Sequence, residues 1–151
     1  MANDPALASR FLADTTVHTF DAYHHNQYEY LAADGSTALL YPGNSAPVPG
    51  HWQIQGAGEW NAKICFRYGA NTWNPVTHQG SDGRDCQSFI GYIYDEVAEI
   101  YDGNIFGTRR IGVFARPFPR WPEFVPIRKA VSETGQPIPK GQDKALSKAG
   151  K

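Results

Sequence analysis

The two cysteines are the residues of this chain whose chemistry depends most on their surroundings. Cys65 lies in the strand-like run KICFRY, and Cys86 follows a glycine-rich segment. In an oxidising compartment the pair would form a disulfide, which adds ~3 kcal/mol of stability by restricting the unfolded chain. Three alternatives stay open: a zinc site completed by His78 and Asp82, a reactive thiolate beside two basic neighbours, and two buried thiols. The spacing matches no standard zinc pattern.

Histidines offer a second possible metal centre. His18, His25 and His51 could converge if their strands pair suitably, whereas the adjacent His24 and His25 point to opposite faces of a strand. No alternating pair of histidines enforces such a cluster. Hydrogen-bonded or surface histidines are the more ordinary interpretation. We therefore predict no metal and no other cofactor.

Carboxylates gather in two short stretches, YDEVAE and SDGRD, which contribute Asp95, Glu96 and Glu99, and Asp82 and Asp85. General acid–base catalysis needs a carboxyl in an enclosed site beside its substrate. Both stretches instead resemble turns, where aspartate makes local hydrogen bonds to the backbone. None of the common hydrolase or nucleotide-binding motifs occurs. We predict solvated turns here and assign no catalytic residue.

Composition and charge limit the class of protein. The chain has 151 residues, which predicts one domain, and no apolar run long enough to span a membrane. Residues 1–116 carry 12 acidic and 7 basic side chains, whereas residues 117–151 carry 3 acidic and 7 basic ones. This basic tail is too diffuse to predict nucleic-acid binding. The first residues show no signal peptide. We expect a periplasmic protein if the disulfide forms and a cytoplasmic one otherwise.

Alternating apolar and polar residues predict an all-β domain over residues 1–116. A short helix, capped by Asp4 with Pro5 in its first turn, precedes the strands. Turn residues separate about eight short strands, which favours a small antiparallel barrel. The predicted strands lie in TTVHTF, QYEYLA, TALLY, HWQIQ, KICFRY, CQSFIGYIY, EVAEIY and RRIGVFA. Residues 69–85 form a long loop between two of them.

The remaining segment, residues 117–151, is predicted to be an irregular extension. It begins with a strap, residues 117–126, which contains four prolines and therefore cannot pair within a sheet. From residue 127 the chain is polar and rich in lysine, so in isolation it should be disordered. We expect deletion of the whole extension to leave a folded barrel.

The order of several short motifs resembles a group of small bacterial proteins of unknown function that have a lipocalin-like, calycin-type barrel. The motifs, which span about residues 11–116, are YEYLAADGS, YPG, GHW, ICFRY, DCQSF and YDGNIFG. The resemblance implies an eight-stranded lipocalin-like barrel. It implies no activity and no catalytic residue, and it does not extend to the basic tail.

Two kinds of binding site follow from this architecture. A barrel of eight strands either fills with side chains or holds one small ligand. Aromatic residues would line a pocket for an apolar ligand, and the candidates are Trp52, Phe66, Tyr68, Phe89 and Tyr92. The extension would dock on a protein partner, because aromatic and arginine side chains dominate binding surfaces. The candidates there are Phe118, Arg120, Trp121, Phe124, Arg128 and Lys129.

The sequence therefore favours a non-catalytic accessory protein whose extension docks on a protein partner or a larger assembly. Two alternatives remain open. One is a carrier that holds a small apolar ligand inside the barrel. The other is an enzyme with its site at the barrel mouth, built from Tyr, His and Asp side chains of residues 23–30 and 73–85.

Overall fold

The protein is described by a computed structural model over residues 4–56, 62–69, 72–74, 79–81, 84–108 and 117–133. A short helix, α1 (Pro5–Leu12), opens the chain, and the Asp4 carboxylate accepts a hydrogen bond from the Leu7 amide as its cap. Strands follow in chain order: β1 (Thr15–Asp21), β2 (His25–Leu31), β3 (Ser36–Leu40), β4 (Val48–Gln55), β5 (Lys63–Tyr68), β6 (Thr72–Asn74), β7 (Gln79–Ser81), β8 (Arg84–Ser88) and β9 (Val97–Asp102).

Seven strands form one antiparallel sheet in the order β8-β5-β4-β3-β2-β1-β9. Hairpins join most neighbours, as the alternating pattern predicted. Tyr28 of β2 lies opposite His18 of β1 and Leu40 of β3, so these three side chains share one face. Glu29 lies opposite Val17 and therefore belongs to the other face.

The sheet curls into a half-barrel. β5 and β2 are separated by β4 and β3, so on a flat sheet they would stand about 14 Å apart. Nevertheless, the Tyr68 hydroxyl of β5 donates a 2.6 Å hydrogen bond to Glu29 Oε1 of β2. The sheet must bend around the face that carries both side chains, and we call this the concave face. The opposite face, with His18 and Tyr28, is the convex face.

The sequence predicted a closed barrel of eight strands, whereas the described residues form a curled sheet of seven strands. The predicted eighth strand of the barrel, RRIGVFA, covers residues 109–115, which lie outside the described residues. The helix α1 is confirmed. In the described part of the chain, no helix is both long and apolar enough to cross a bilayer.

Two segments differ from the sequence prediction. The run CQSFIGYIY is not a single strand: β8 ends at Ser88, and a helical turn follows as α2 (Phe89–Gly91) and a π-helical turn (Tyr92–Glu96). Ser88 Oγ accepts a hydrogen bond from the Gly91 amide, so serine stops the strand by capping a helix. The predicted loop at residues 69–85 also contains the two-stranded ribbon β6–β7 and the start of β8.

The concave face is the larger core. It joins α1, the sheet and the turn that follows β8, because the curl brings these elements over one surface. Its buried members are Ala8, Leu12, Val17, Leu31, Trp52, Ala62, Ile64, Phe66, Phe89, Tyr92, Val97 and Ile100.

The convex face is covered by the C-terminal segment. The strap crosses it and leads into a helix, α3 (Ile127–Glu133), whose buried residues are Ile127, Ala130 and Val131. They face Tyr28 and Tyr101, among other residues of the sheet. The extension is therefore not irregular throughout, as the sequence predicted, because residues 127–133 form a helix that packs on the sheet. The spacing i, i+3, i+4 gives this short helix one apolar side that the sheet buries.

Candidate functional site

The convex face holds a buried hydrogen-bond network around His18, which is fully buried. His18 Nδ1 lies 2.6 Å from Glu99 Oε2, and His18 Nε2 lies 2.9 Å from Asn26 Oδ1. Asn26 Oδ1 also accepts from the Val125 amide, so Nε2 is the donor to it. Glu99 Oε2 accepts from the Ile127 amide. Both ring nitrogens of His18 are thus occupied by hydrogen bonds within the network.

This network ties the strap to the sheet. Asn26 Nδ2 donates to the carbonyl oxygens of Trp121 and Glu123, at 3.2 Å and 2.7 Å, and the Tyr28 hydroxyl donates to that of Val125. Strap groups that have no strand partner are therefore satisfied by side chains of β2. The arrangement is closed and internally paired, which is typical of a structural clamp.

The concave face holds a buried carboxyl of a different kind. Glu29 is 8% exposed and lies opposite Val17 and Leu39 in the register of the sheet. Its one hydrogen bond within the described residues comes from the Tyr68 hydroxyl to Oε1. Burial raises the pKa of Glu29 from 4.5 to about 7, although the Tyr68 hydroxyl and, more weakly, Thr37 act to lower it. The carboxyl therefore changes charge near neutral pH.

Thr37 lies on the same face, close enough for its side chain to lower the pKa of this carboxyl. Its Oγ1 is buried and has no hydrogen-bond partner among the described residues. Buried hydroxyls are normally paired. The concave face thus contains two incompletely satisfied polar groups, the Thr37 hydroxyl and the Glu29 carboxyl, on neighbouring strands β3 and β2.

A glycine allows the tyrosine to reach this carboxyl. Gly50 of β4 lies between Tyr68 and Thr37 in the register of the sheet. A Cβ at position 50 would stand 2.7 Å from Tyr68 Cδ1 and 2.7 Å from the Arg67 carbonyl oxygen. Such distances are shorter than van der Waals contact, so a larger residue would displace the ring. Gly50 therefore lets Tyr68 lie directly on the strand.

The π-helical turn completes the site. Tyr92, its first residue, is buried and its ring centroid lies 5.7 Å from that of Phe66. Burial raises the pKa of Tyr92, and the charge of Glu29 adds to the increase. The same two causes raise the pKa of Tyr68. Both phenols therefore stay protonated and can donate hydrogen bonds. π-helical turns occur often at functional sites.

The structure brings the five predicted pocket residues together. Trp52, Phe66, Phe89 and Tyr92 are buried in the concave core, and Tyr68 packs against it while staying partly exposed. The Trp52 indole donates to the Ala32 carbonyl oxygen at 2.8 Å, which fixes its orientation.

The predicted docking residues are divided between the interior and the surface. Phe118 is buried against Tyr28, and Trp121 is half-buried beside it. Phe124 stacks on His18 but remains 44% exposed. Arg120, Arg128 and Lys129 are exposed, and Arg120 donates to His25 Nδ1 at 3.3 Å.

The cysteines lie directly opposite each other on β5 and β8, with their sulfurs at bonding distance. The disulfide is thus the alternative that the structure supports. Cys65 lies on the convex side of β5, away from Phe66, as its alternation with that residue predicted. Among the described residues, no three potential metal ligands gather.

Other candidates from the sequence fall into ordinary roles. His25 is the first residue of β2 and His51 lies on β4, both away from the buried His18, so the three histidines form no ligand set. Glu99 is a correction, because it lies within β9 and is buried rather than solvated in a turn. Asp85 is exposed.

Sequence reasoning missed Glu29 as a functional candidate. The alternation of QYEYLA already placed Glu29 on the same side as Leu31, and a carboxylate on an apolar side of a strand is the relevant signal. The contact with Tyr68 was not predictable, because it depends on how far the sheet curls.

Comparison of the chain with protein-family models, with curated proteins and with solved structures found no match.

Proposed function

We propose that the protein is a non-catalytic binding protein that holds a small, largely apolar ligand against the concave face of its sheet. The observation that carries this proposal is the Glu29 carboxyl, which is buried opposite Val17 and Leu39 and, within the described residues, accepts a hydrogen bond from Tyr68. A few placed polar groups on an otherwise apolar wall are typical of small-molecule sites.

The contrast with the convex face supports a ligand rather than a structural role. Glu99 is as buried as Glu29, at 8% exposure each, but Glu99 is paired with His18 and the Ile127 amide. Glu99 therefore has a role in the fold that explains its burial. Within the described residues, no basic side chain forms a hydrogen bond with Glu29. The free-energy cost of burying its charge is therefore poorly compensated there. A ligand would supply the missing partner.

The proposal extends to a closed, lipocalin-like barrel. The motif order supports that family, and the seven-stranded curled sheet is compatible with it. We propose that an eighth strand closes this sheet into a barrel. The concave face would then become the interior of a cup.

Native mass spectrometry of the purified protein tests the binding function. We expect a ligand adduct in the natural protein and its loss in Tyr68→Ala, which removes a partly exposed ring of the concave face. Phe124→Ala removes a partly exposed ring of the convex face and should keep the adduct. Absence of any adduct, or its loss in Phe124→Ala alone, would reject a concave site.

Docking on a protein partner is the second candidate, and the exposure of Phe124 favours it. This ring contacts Phe20 and His18 on one side and leaves 44% of its surface uncovered, near the exposed Arg120. Aromatic and arginine side chains at a surface are typical of binding hot spots. We propose that Phe124, with the lysine-rich residues after Glu133, would engage the partner.

A pull-down from the native host tests this second candidate. Removal of residues 117–151 would uncover Tyr28 and its neighbours, so the truncation is placed after Glu133. We expect Phe124→Ser and the truncation each to reduce capture, whereas Tyr68→Ala should not. Capture that both convex variants retain would reject docking through the extension.

A further inference from the structure

We infer that the ligand of the concave face carries a protonated amine on an apolar or aromatic body, and that Glu29 binds the amine. This inference rests on the proposed binding function and names the chemical class of the ligand. Three features support it: the Glu29 carboxyl can accept further hydrogen bonds, it has no basic partner among the described residues, and aromatic rings lie on the same face.

Glu29 retains acceptor capacity at Oε2. The Tyr68 hydroxyl donates to Oε1 at 2.6 Å, and Thr37 is the other described side chain close enough to lower the pKa of the carboxyl. A carboxylate can accept about four hydrogen bonds. Thr37 Oγ1, without a partner in this part of the chain, lies on the same face. An ammonium group has three donors and no acceptor, so it can bind Oε2 and the Thr37 oxygen together.

The missing counter-charge argues for a cation over a neutral donor. Strand β5, which carries Tyr68, has two basic side chains, Lys63 and Arg67. Both are exposed, and they lie on the convex side of the strand, opposite to Phe66. Among the described residues, no basic group contributes to the pKa of Glu29, which burial raises to about 7. A cation that enters this face would therefore meet a carboxylate that lacks a cation partner in the described residues.

The aromatic surroundings fit the rest of such a ligand. Phe66 lies between Tyr68 and Tyr92, with ring centroids 6.4 Å and 5.7 Å away. Aromatic faces attract cations and pack against apolar bodies. Both phenols have raised pKa values, so they remain neutral donors and add no competing negative charge.

The pH dependence follows from the carboxyl. Below its pKa of about 7 Glu29 is protonated and neutral, and above it the carboxylate is available. An alkylamine stays protonated to well above pH 8, as a lysine does. Amine binding should therefore strengthen from pH 6 to pH 8. Binding of a neutral analogue should not.

The test compares 2-phenylethylamine with 2-phenylethanol, which differ mainly in the charged group. Binding is followed by NMR of amide groups in β2, β5 and the π-helical turn, at pH 6 and pH 8. We expect the amine to bind roughly 10- to 100-fold tighter than the alcohol at pH 8, the range of a charge-assisted hydrogen bond. Glu29→Gln should remove this preference and its pH dependence, whereas Glu123→Gln, which changes an exposed side chain of the strap, should keep both.

Each outcome separates the inference from the proposed function. Equal binding of amine and alcohol at the concave amides, unchanged in Glu29→Gln, would overturn the inference and leave a concave apolar site. No shift of those amides with either compound would overturn both. Should Glu29→Gln not fold, the comparison of the two compounds at two pH values in the natural protein still decides.

Discussion

At the scale of single residues, two glutamates of equal burial illustrate two different uses of a carboxyl. Glu99 is paired with His18 and the Ile127 amide, and so it holds the strap on the sheet. Glu29 has the Tyr68 hydroxyl alone among the described residues. A fully paired buried charge contributes to a specific fold, whereas an incompletely paired one costs stability. We therefore assign structure to the first and binding to the second.

The cost of burying Glu29 should be visible in the pH dependence of stability. Because its pKa rises from 4.5 in the unfolded chain to about 7 in the folded protein, the folded state holds the proton over this interval and the unfolded state does not. Stability therefore falls as pH rises from about 5 to about 7, by at most ~3 kcal/mol. Urea unfolding of the natural protein and of Glu29→Gln at several pH values measures the difference.

Glu29→Gln should lack this contribution and unfold at higher urea concentration at pH 8 than the natural protein. The matched control is Glu123→Gln, whose side chain is exposed, and it should reproduce the natural pH profile. Identical profiles for all three proteins would show that Glu29 ionises as freely as a surface carboxyl.

At the scale of elements, the strap is held by side chains rather than by strand pairing. The Asn26 side chain forms hydrogen bonds with three strap residues, Trp121, Glu123 and Val125. It also forms a hydrogen bond with His18. We expect Asn26→Ala to lower the free energy of unfolding by roughly 3 kcal/mol, because it leaves several buried groups without partners. Hydrogen exchange should show the largest loss of protection at the Val125 amide.

The control for this clamp is Asn44→Ala, which removes a half-buried amide that makes no side-chain hydrogen bond among the described residues. It should change stability little. Equal loss of protection in β4 and in the strap after Asn26→Ala would mean general destabilisation instead of local release.

The disulfide joins β5 to the edge strand β8 of the described sheet. Cys65 and Cys86 lie opposite each other in the register, so the bond fastens that edge. Intact mass measured without reductant should be lower by about two hydrogen masses than after reduction. Reduction should also lower stability by up to ~3 kcal/mol. Equal masses under both conditions would leave free thiols.

Strands were more predictable than helices in this chain. Alternation of residue types identified β1 to β5 and β9, although β1, β2 and β9 each bury consecutive residues on both sides of the sheet. It failed at Phe89–Glu96, where alternating aromatic and aliphatic residues follow a serine cap that ends the strand. It also missed α3, since three apolar positions among charged ones are too few to distinguish a short helix from a polar tail.

At the scale of the whole molecule, the curl of the sheet creates the candidate site. Sequence periodicity assigns side chains to faces but does not give curvature. It therefore placed Phe66 and Tyr68 on one face without predicting that Tyr68 reaches Glu29 across two strands. The extension likewise could not be placed from sequence. Its role as cover for the convex face depends on side chains of β2 and β9 that are remote along the chain.

The central claim is that the concave face buries a carboxyl that lacks a cationic partner and is ready to bind one. The most direct measurement is a pH titration of the Glu29 side-chain carboxyl by ¹³C NMR, in the free protein and with 2-phenylethylamine. We predict a pKa of about 7 in the free protein and a lower pKa in the presence of the amine, which favours the ionised form. A value that stays near 4.5 in both conditions would contradict the account.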